Sequence, residues 1–320
     1  MWISPFSLYR QGILGMNCRN LSYISRYNER SRYPLVDDKL KTKLKAEKFG
    51  LPTPRLRSVL RYQYEIAAIE RLLEGLDGFA IKPAKGAGGK GILVIHGRDG
   101  DQFICSSGKP ISLPEIKRHL SNLQAGLYSL AGSPDVAIIE DLIRPVEMLE
   151  RLSYAGVPDI RIIIFKGYPV MAMLRLSTRA SDGKANLHKG AVGVGLDIGS
   201  GRSLHAVQYA RRITRHPDTD IALDTITIPD WQNLLRMAAR GFEVTRLGYI
   251  GADLVVDRDA GPMLLELNAR PGLTIQVANG AGLLPRLRHI ESLDPDLIPD
   301  AAERVDFSMR AFASDKVGTP

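Results

Sequence analysis

The chain has 320 residues, a length for one large or two modest domains, and its 44% hydrophobic and 24% charged content is ordinary for a soluble globular protein with real cores. Its two cysteines, Cys18 and Cys105, show no motif spacing, which sets aside a disulfide framework and a cysteine metal site; reduced thiols fit a cytoplasmic setting. The formal net charge of +8 comes from dispersed basic residues without interleaved aromatics, favouring anionic small ligands over nucleic acid, and no apolar run reaches the roughly 18 residues of a membrane span.

Residues 1–36, rich in aromatics and arginine, read as an N-terminal arm packed on the main body, and Arg10 and Gln11 interrupt the apolar core that a signal peptide would need. In VDDKLKTKLKAEKFGLPTPR, Asp37 or Asp38 caps a helix, Leu40, Leu44 and Phe49 form its apolar stripe, and Gly50, Pro52 and Pro54 end it. YEIAAIERLLEGL predicts a second helix, closed by Gly75. GFAIKPAKGAGGKGILVI reads as strand, glycine loop and strand, and LPEIKRHLSNLQAGLYSL as a helix started near Ser112. VAIIEDLI is a buried strand, and DIRIIIFKGYPVMAMLRLST a hairpin turning at Lys166-Gly167. The glycine-rich RASDGKANLHKGAVGVGLDIGSGR is a loop with a strand around Ala191–Asp197, and WQNLLRMAARGFEVTRLG is a helix. The strands YIGADLVVDRD and PMLLELNAR follow, and residues 291–320 read as a mobile tail, rich in Pro and Asp where it starts.

Strand side chains alternate, so LLELNARPGL puts Glu266, Asn268 and Arg270 on one face and Leu265 and Leu267 on the other. An acid beside an amide offers oxygen ligands to a hard cation, most plausibly Mg²⁺. An exposed edge strand with scattered polar residues accounts for the same letters.

The loop GAGGKG, Gly86 to Gly91, fits G-x-G-x-x-G, but the strand ILVI follows where a dinucleotide-binding turn requires a helix. Lys90 precedes Gly91 rather than Ser or Thr, so the Walker A pattern fails too. Protein kinases cover ATP phosphates with a similar flap, yet their H-R-D and D-F-G motifs are absent from the sequence. What stands is a flap whose backbone N–H groups close over phosphates, with Lys82 on the preceding strand adding a point charge. The alternative is a plain hairpin loop.

Lys82 and the flap glycines, AIIEDLI, DIR, ANLHKG, GADLV and LLELNARPG occur in the order found in ATP-grasp ligases, which the chain resembles from about Asp37 to Leu284. Within them it is most similar to the RimK-like branch of α-L-glutamate ligases. The resemblance implies an α+β ATP-grasp fold: two α+β subdomains with ATP between them, spanning residues 37–290, with the flap subdomain at about 76–140. It implies ATP and Mg²⁺ as cofactors, with Mn²⁺ as a substitute. Lys82 would hold phosphates under Gly86, Gly88, Gly89 and Lys90, and the strand edge at Glu140, Asp141 and Ile143 would meet adenine. Asp159 falls where the family contacts the nucleotide, with Glu147 as the alternative partner of the ribose because RPVEMLERLSYAGVP is longer than the usual connection. Lys184 and Asn186 occupy the family's R-x-N-L-H position, Lys184 departing from its arginine. Asp253, on the adjoining strand, joins Glu266 and Asn268 as metal ligands.

Such enzymes turn a carboxylate into an acyl phosphate that an amine then attacks. Arg161 and Arg175, on opposite arms of the hairpin, are expected to face that acyl phosphate. Arg270 stands where glutamate ligases carry a smaller residue and is expected to grip a substrate carboxylate bidentately. The implied function is an ATP- and Mg²⁺-dependent carboxylate–amine ligase that adds an amino acid such as glutamate to a peptide, protein or small amine. A ligase acting on a non-peptide carboxylate and a nucleotide-binding regulatory subunit are the competing readings. Only about 36 residues precede the first Asp-Lys helix, where the family carries a whole α/β domain. This abbreviated N-terminal region leaves that domain's substrate contacts to the arm, a homo-oligomeric subunit or a partner protein.

Overall fold

The computed structural model describes residues 4–86, 88–129, 132–294 and 299–314. Its strands, in chain order, are β1 (Leu56–Leu60), β2 (Phe79–Pro83), β3 (Leu93–Asp99), β4 (Gln102–Cys105), β5 (Pro110–Ile111), β6 (Ala137–Asp141), β7 (Asp159–Phe165), β8 (Tyr168–Leu176), β9 (Val192–Leu196), β10 (Ser203–Gln208), β11 (Arg211–Ile213), β12 (Tyr249–Asp257) and β13 (Gly261–Asn268). They form two antiparallel sheets, one ordered β1-β6-β2-β3-β4-β5 and the other β11-β10-β9-β8-β7-β12-β13. With the helices packed on them, this is the expected α+β class.

The larger sheet explains the unbroken apolar runs of β7 and β8, because both of its faces are covered. On the back, Ile160, Ile162, Ala252 and Leu267 lie under the helix Trp231–Ala239, which crosses β7, β8, β12 and β13. On the front, β7 presents Phe165, Ile163, Arg161 and Asp159 in turn, a row that is apolar at one end and charged at the other. The arm covers the apolar end. Tyr23 and Tyr27 meet Phe165 edge-on at 5.5 and 4.9 Å between ring centroids. The buried Asn28 amide donates to the carbonyls of Tyr249 and Ala269 and accepts from the Tyr249 N–H. Gln276 holds the arm further back, accepting from the Leu14 N–H at 2.8 Å and donating to its carbonyl at 3.1 Å.

The β7–β8 hairpin turns at Lys166 and Gly167, both at positive φ, as a two-residue turn between twisted strands requires. Asp38 caps the helix Lys39–Lys48 by accepting from the N–H groups of Leu40 and Lys41. A Ser112–Glu115 capping box starts the helix Leu113–Gln124. The helix expected over YEIAAIERLLEGL is instead a 3₁₀ segment, Gln63–Ala68, running into the short helix Ile69–Leu72. Ile66, Ile69 and Leu73 are still buried, so a tighter winding satisfies the same apolar spacing. No helix among the described residues is long and apolar enough to cross a membrane.

Residues 291–320, read as a mobile tail, need a correction. The helix Ala301–Ala311 packs on β8, opened by a capping box between Asp300 and Glu303; residues 295–298 and 315–320 lie outside the described residues. Arg304, 4% exposed, anchors this helix by donating to the carbonyls of Gly167 at 3.0 Å and Pro299 at 2.8 Å and pairing with Glu243. A side chain at Gly167 would collide with that guanidinium. Arg304→Ala strips Glu243 of its partner and is expected to cost on the order of 3 kcal/mol, measured as a lower urea midpoint with unchanged slope. A loss below about 0.5 kcal/mol would mean that the helix is not part of the folded unit.

Candidate active site

Between the two sheets lies a cavity of about 880 Å³, floored by the charged end of the larger sheet's front face. Strand register assembles the floor: Asp253 sits opposite Arg161 on one side and opposite Glu266 on the other, and Asp159 sits opposite Arg175. Arg161 grips Asp253 with two hydrogen bonds of 2.7 and 2.6 Å. Arg175 bridges the two aspartates, donating Nε to Asp159 and Nη2 to Asp253 at 2.8 Å.

Burial pushes the Asp159 carboxyl up to about 6, against the pull of Arg175 and with the push of the Asp253 charge. For Asp253 burial acts in the same upward sense, but Arg161 and Arg175 together prevail and bring it down to about 2. Arg175 is held above its ordinary range: burial lowers it, and the two aspartates outweigh burial.

Glu266 and Asn268 stand beside this cluster on β13. Glu266 has Lys39 3.7 Å away, and Asn268 accepts the Arg270 N–H at 2.8 Å. Among the described residues no group of three or more His, Cys, Asp or Glu side chains forms a metal cage. Asp253 is occupied by guanidinium groups, which leaves Glu266 and the Asn268 amide oxygen as the available donors. Two hard oxygens fit Mg²⁺ that arrives with a phosphate ligand, since Mg²⁺ typically takes one or two protein ligands and completes its shell with phosphate and water.

The roof comes from the smaller sheet. Lys82 on β2 donates to Glu140 on β6 at 2.6 Å, and the buried Lys43 reaches the other Glu140 oxygen at 3.0 Å. Burial alone would raise the Glu140 carboxyl, but Lys82 and then Lys43 overcome it and keep its pKa low. Two ammonium groups share one carboxylate, so this corner keeps one net positive charge. Lys39 ties the flap to the floor by donating to the Gly86 carbonyl at 2.6 Å. Gly88 and Gly89 carry positive φ and approach Asn186 and Lys184, so the flap and the 182–188 loop meet above the cavity. Ile143 lines the hinge beside Arg144, whose backbone N–H donates to Asp257 at 2.7 Å.

Lys82, Gly88, Gly89, Ile143, Asp159, Arg161, Arg175, Lys184, Asn186, Asp253, Glu266 and Asn268 all line this cavity. Gly86, Lys90, Glu140, Asp141 and Arg270 do not. Glu140 faces a side pocket of about 100 Å³ behind Lys82, and Asp141, the next residue of β6, turns away and pairs with Arg57. Arg270 is a correction to the strand reading. β13 ends at Asn268, whose side chain caps the Arg270 N–H and turns the chain. The Arg270 guanidinium then pairs with Asp37 at 2.9 Å and stacks over the Tyr33 ring, outside the cavity lining. Glu147 pairs with Arg151 in solvent, and Glu150 reaches the cavity instead. The sequence reading missed Lys39, Lys43 and Glu150; Lys39 and Lys43, four positions apart after a helix cap, share a helix face and were the legible signal.

The two carboxyl shifts have opposite signs in stability. The raised Asp159 contributes stability below about pH 4 that is lost as pH rises through about 6; the depressed Asp253 contributes stability above about pH 4 that is lost as pH falls through about 2. Asp159→Asn removes the first effect. The stability of the wild type relative to this variant should therefore fall by roughly 2–3 kcal/mol between pH 4 and 7, measured by urea unfolding across that range. A constant difference would show that Asp159 is not raised.

The chain is similar to several solved structures. D-cycloserine synthetase DcsG aligns at 15% identity and a TM-score of 0.50, covering 94% of this chain and 82% of that one. D-alanyl-alanine synthetase A from Vibrio cholerae O1 biovar eltor aligns at 10% identity and a TM-score of 0.48, covering 88% and 66%. The ATP-grasp ligase PsnB complexed with a minimal precursor aligns at 13% identity and a TM-score of 0.44, covering 88% of this chain; the chain spans 63% of the length of that PsnB chain. No curated protein matches the sequence. The likeness to DcsG concerns the fold, two sheets enclosing a cavity. A model of the sugar-transfer associated ATP-grasp family matches residues 18–292, and the chain belongs to that family.

Proposed function

We propose that the protein is an ATP- and Mg²⁺-dependent carboxylate–amine ligase. The observation that carries this reading is the convergence, in one cavity, of a net positive corner at Lys82, an oxygen pair at Glu266 and Asn268, and the guanidinium groups of Arg161 and Arg175. These are the three requirements of carboxylate activation by ATP: a phosphate clamp, metal ligands, and fixed donors where negative charge develops.

In this reading a substrate carboxylate oxygen attacks the γ-phosphorus of ATP, the bond to the ADP oxygen breaks, and an acyl phosphate forms. An amine nitrogen then attacks the acyl carbon, phosphate leaves, and the amine loses a proton as the amide forms. Lys82 holds the phosphates, and the closed flap at Gly88 and Gly89 excludes water, which would otherwise hydrolyse the acyl phosphate. Arg161 and Arg175, fixed by the two aspartates, keep N–H donors directed at the reacting oxygens without reorganising. Glu266 and Asn268 would hold Mg²⁺, which would offset the phosphate charge. Glu150, which lines the cavity and pairs with Arg258, would accept from a ribose hydroxyl. Oxygen donors of this kind favour turnover over a purely regulatory nucleotide site.

The narrower RimK-like reading rests on motif order. Its glutamate preference drew on the combined charge of Arg161, Arg175 and Arg270, of which Arg270 pairs with Asp37 and Arg161 and Arg175 with buried aspartates. The acceptor, whether peptide, protein or small amine, follows from the resemblance alone.

ADP release that requires both an acid and an amine tests the reaction class. Lys82→Ala should weaken ATP binding by about 1–3 kcal/mol, the scale of a charged hydrogen bond, by calorimetric titration of the folded variant. Glu266→Gln should abolish Mg²⁺-dependent turnover while leaving the unfolding midpoint in place. ATP consumption that needs no acid, or full activity in both variants, would overturn the reading.

A further inference from the structure

We infer that the acid accepted by this cavity bears a single carboxylate, and that an acid with a second one, such as glutamate, is disfavoured. The inference rests on the ligase reading and narrows its substrate. It follows from where positive charge around the cavity is already committed. On the floor two guanidinium groups face two carboxylates, Arg161 and Arg175 against Asp159 and Asp253, all four buried or nearly so. The cluster is neutral as a unit. Each guanidinium has five N–H donors and spends two of them on these pairs, so it retains donors for an incoming oxygen. Spare donors suit a carboxylate whose charge is consumed as its oxygen is phosphorylated. A second carboxylate keeps its charge throughout and would need a cation of its own.

Among the described residues each lysine and arginine that lines the cavity has a carboxylate within 4.0 Å. Lys184 pairs with Asp182 at 2.7 Å and Arg258 with Glu150 at 3.0 Å. Arg144 lies 4.0 Å from Asp259 in solvent, beside the Asp257 end of β12, four residues and about 13 Å along the strand from Asp253. Burial lowers the pKa of His96, and His188 is exposed on its loop. Positive charge exceeds negative at the Lys82–Glu140–Lys43 corner, and the nucleotide phosphates take that surplus. What remains near the floor is neutral: Met173 opposite Arg161, Leu265 beside Glu266, and Leu187 and Thr274 on the facing loops. An aliphatic or amide-bearing body fits these walls.

The test uses the full chain, ATP and Mg²⁺, with hydroxylamine as a general trap for acyl phosphates, and acids offered in isosteric pairs: glutamine with glutamate, asparagine with aspartate, glutaramate with glutarate. ADP release and hydroxamate formation are both read. The neutral member of each productive pair should show a kcat/KM at least about ten-fold higher, as expected when a charge lacks a partner. Asp159→Asn adds one net positive charge to the floor without changing its shape. It should raise the dicarboxylate-to-neutral ratio of kcat/KM at least about ten-fold over the wild type, whatever it does to absolute rates. A wild-type preference for the dicarboxylates, or a ratio that Asp159→Asn leaves unmoved, overturns the inference while the ligase reading stands. Failure of every acid of either kind to release ADP overturns the ligase reading itself.

Discussion

Asp253 is the point on which the front of the larger sheet depends. Antiparallel pairing sets Arg161 on one side of it and Glu266 on the other, while Arg175 reaches it across β7. A buried carboxylate with both oxygens engaged by guanidinium groups is favourable only while those partners stay in place, because loss of either leaves charge in a dry environment. The register therefore cannot slip by one residue, since that would send all of these side chains into the apolar back of the sheet. The chemistry of the floor and the pairing of the strands are one constraint.

The same face is shared between two occupants. At the Phe165 and Tyr249 end it is covered by the aromatic rings of the arm, and at the Asp159 and Asp253 end it is open to the cavity. Gly251 lies between them on β12, and Pro271 occupies the space that a side chain there would fill. The chain thus crosses from packed core to site within a few residues of one strand. The arm is tied to the cavity floor: Asn28 bonds the backbone at Tyr249, on the strand that carries Asp253, and at Ala269, next to Asn268.

Much of this was legible in the sequence, and the reasons for success and failure are physical. The glycine flap, the Lys166-Gly167 hairpin and the Asp38 and Ser112 caps are local features, set by residues within a few positions of one another. The shared face of Glu266 and Asn268 was readable because strand alternation is strict over short distances, and the resemblance put Asp253 beside them. Arg270 failed because alternation stops where the strand stops, and the Asn268 side chain that ends it looked like a ligand and acted as a cap as well. The pairing of Arg161 and Arg175 with aspartates was invisible, since it depends on which strands become neighbours. The helix at Ala301–Ala311 was hidden behind a Pro- and Asp-rich approach, although its capping box was written in the sequence.

The ties between Leu14 and Gln276 and between Asn28 and Tyr249 join positions 262 and 221 residues apart. Closing such distant pairs is slow, because the entropy of ordering the intervening chain is lost before the contacts form. As the chain emerges from the ribosome, Tyr23 and Tyr27 are made well before Tyr249, which shares their aromatic cluster. Through that interval the arm's rings and the exposed end of β7 form an adhesive apolar surface, the kind that drives misassembly in large domains. The arm is made 221 residues ahead of the strand backbone that Asn28 binds, so that face stays unfinished through the whole of that interval.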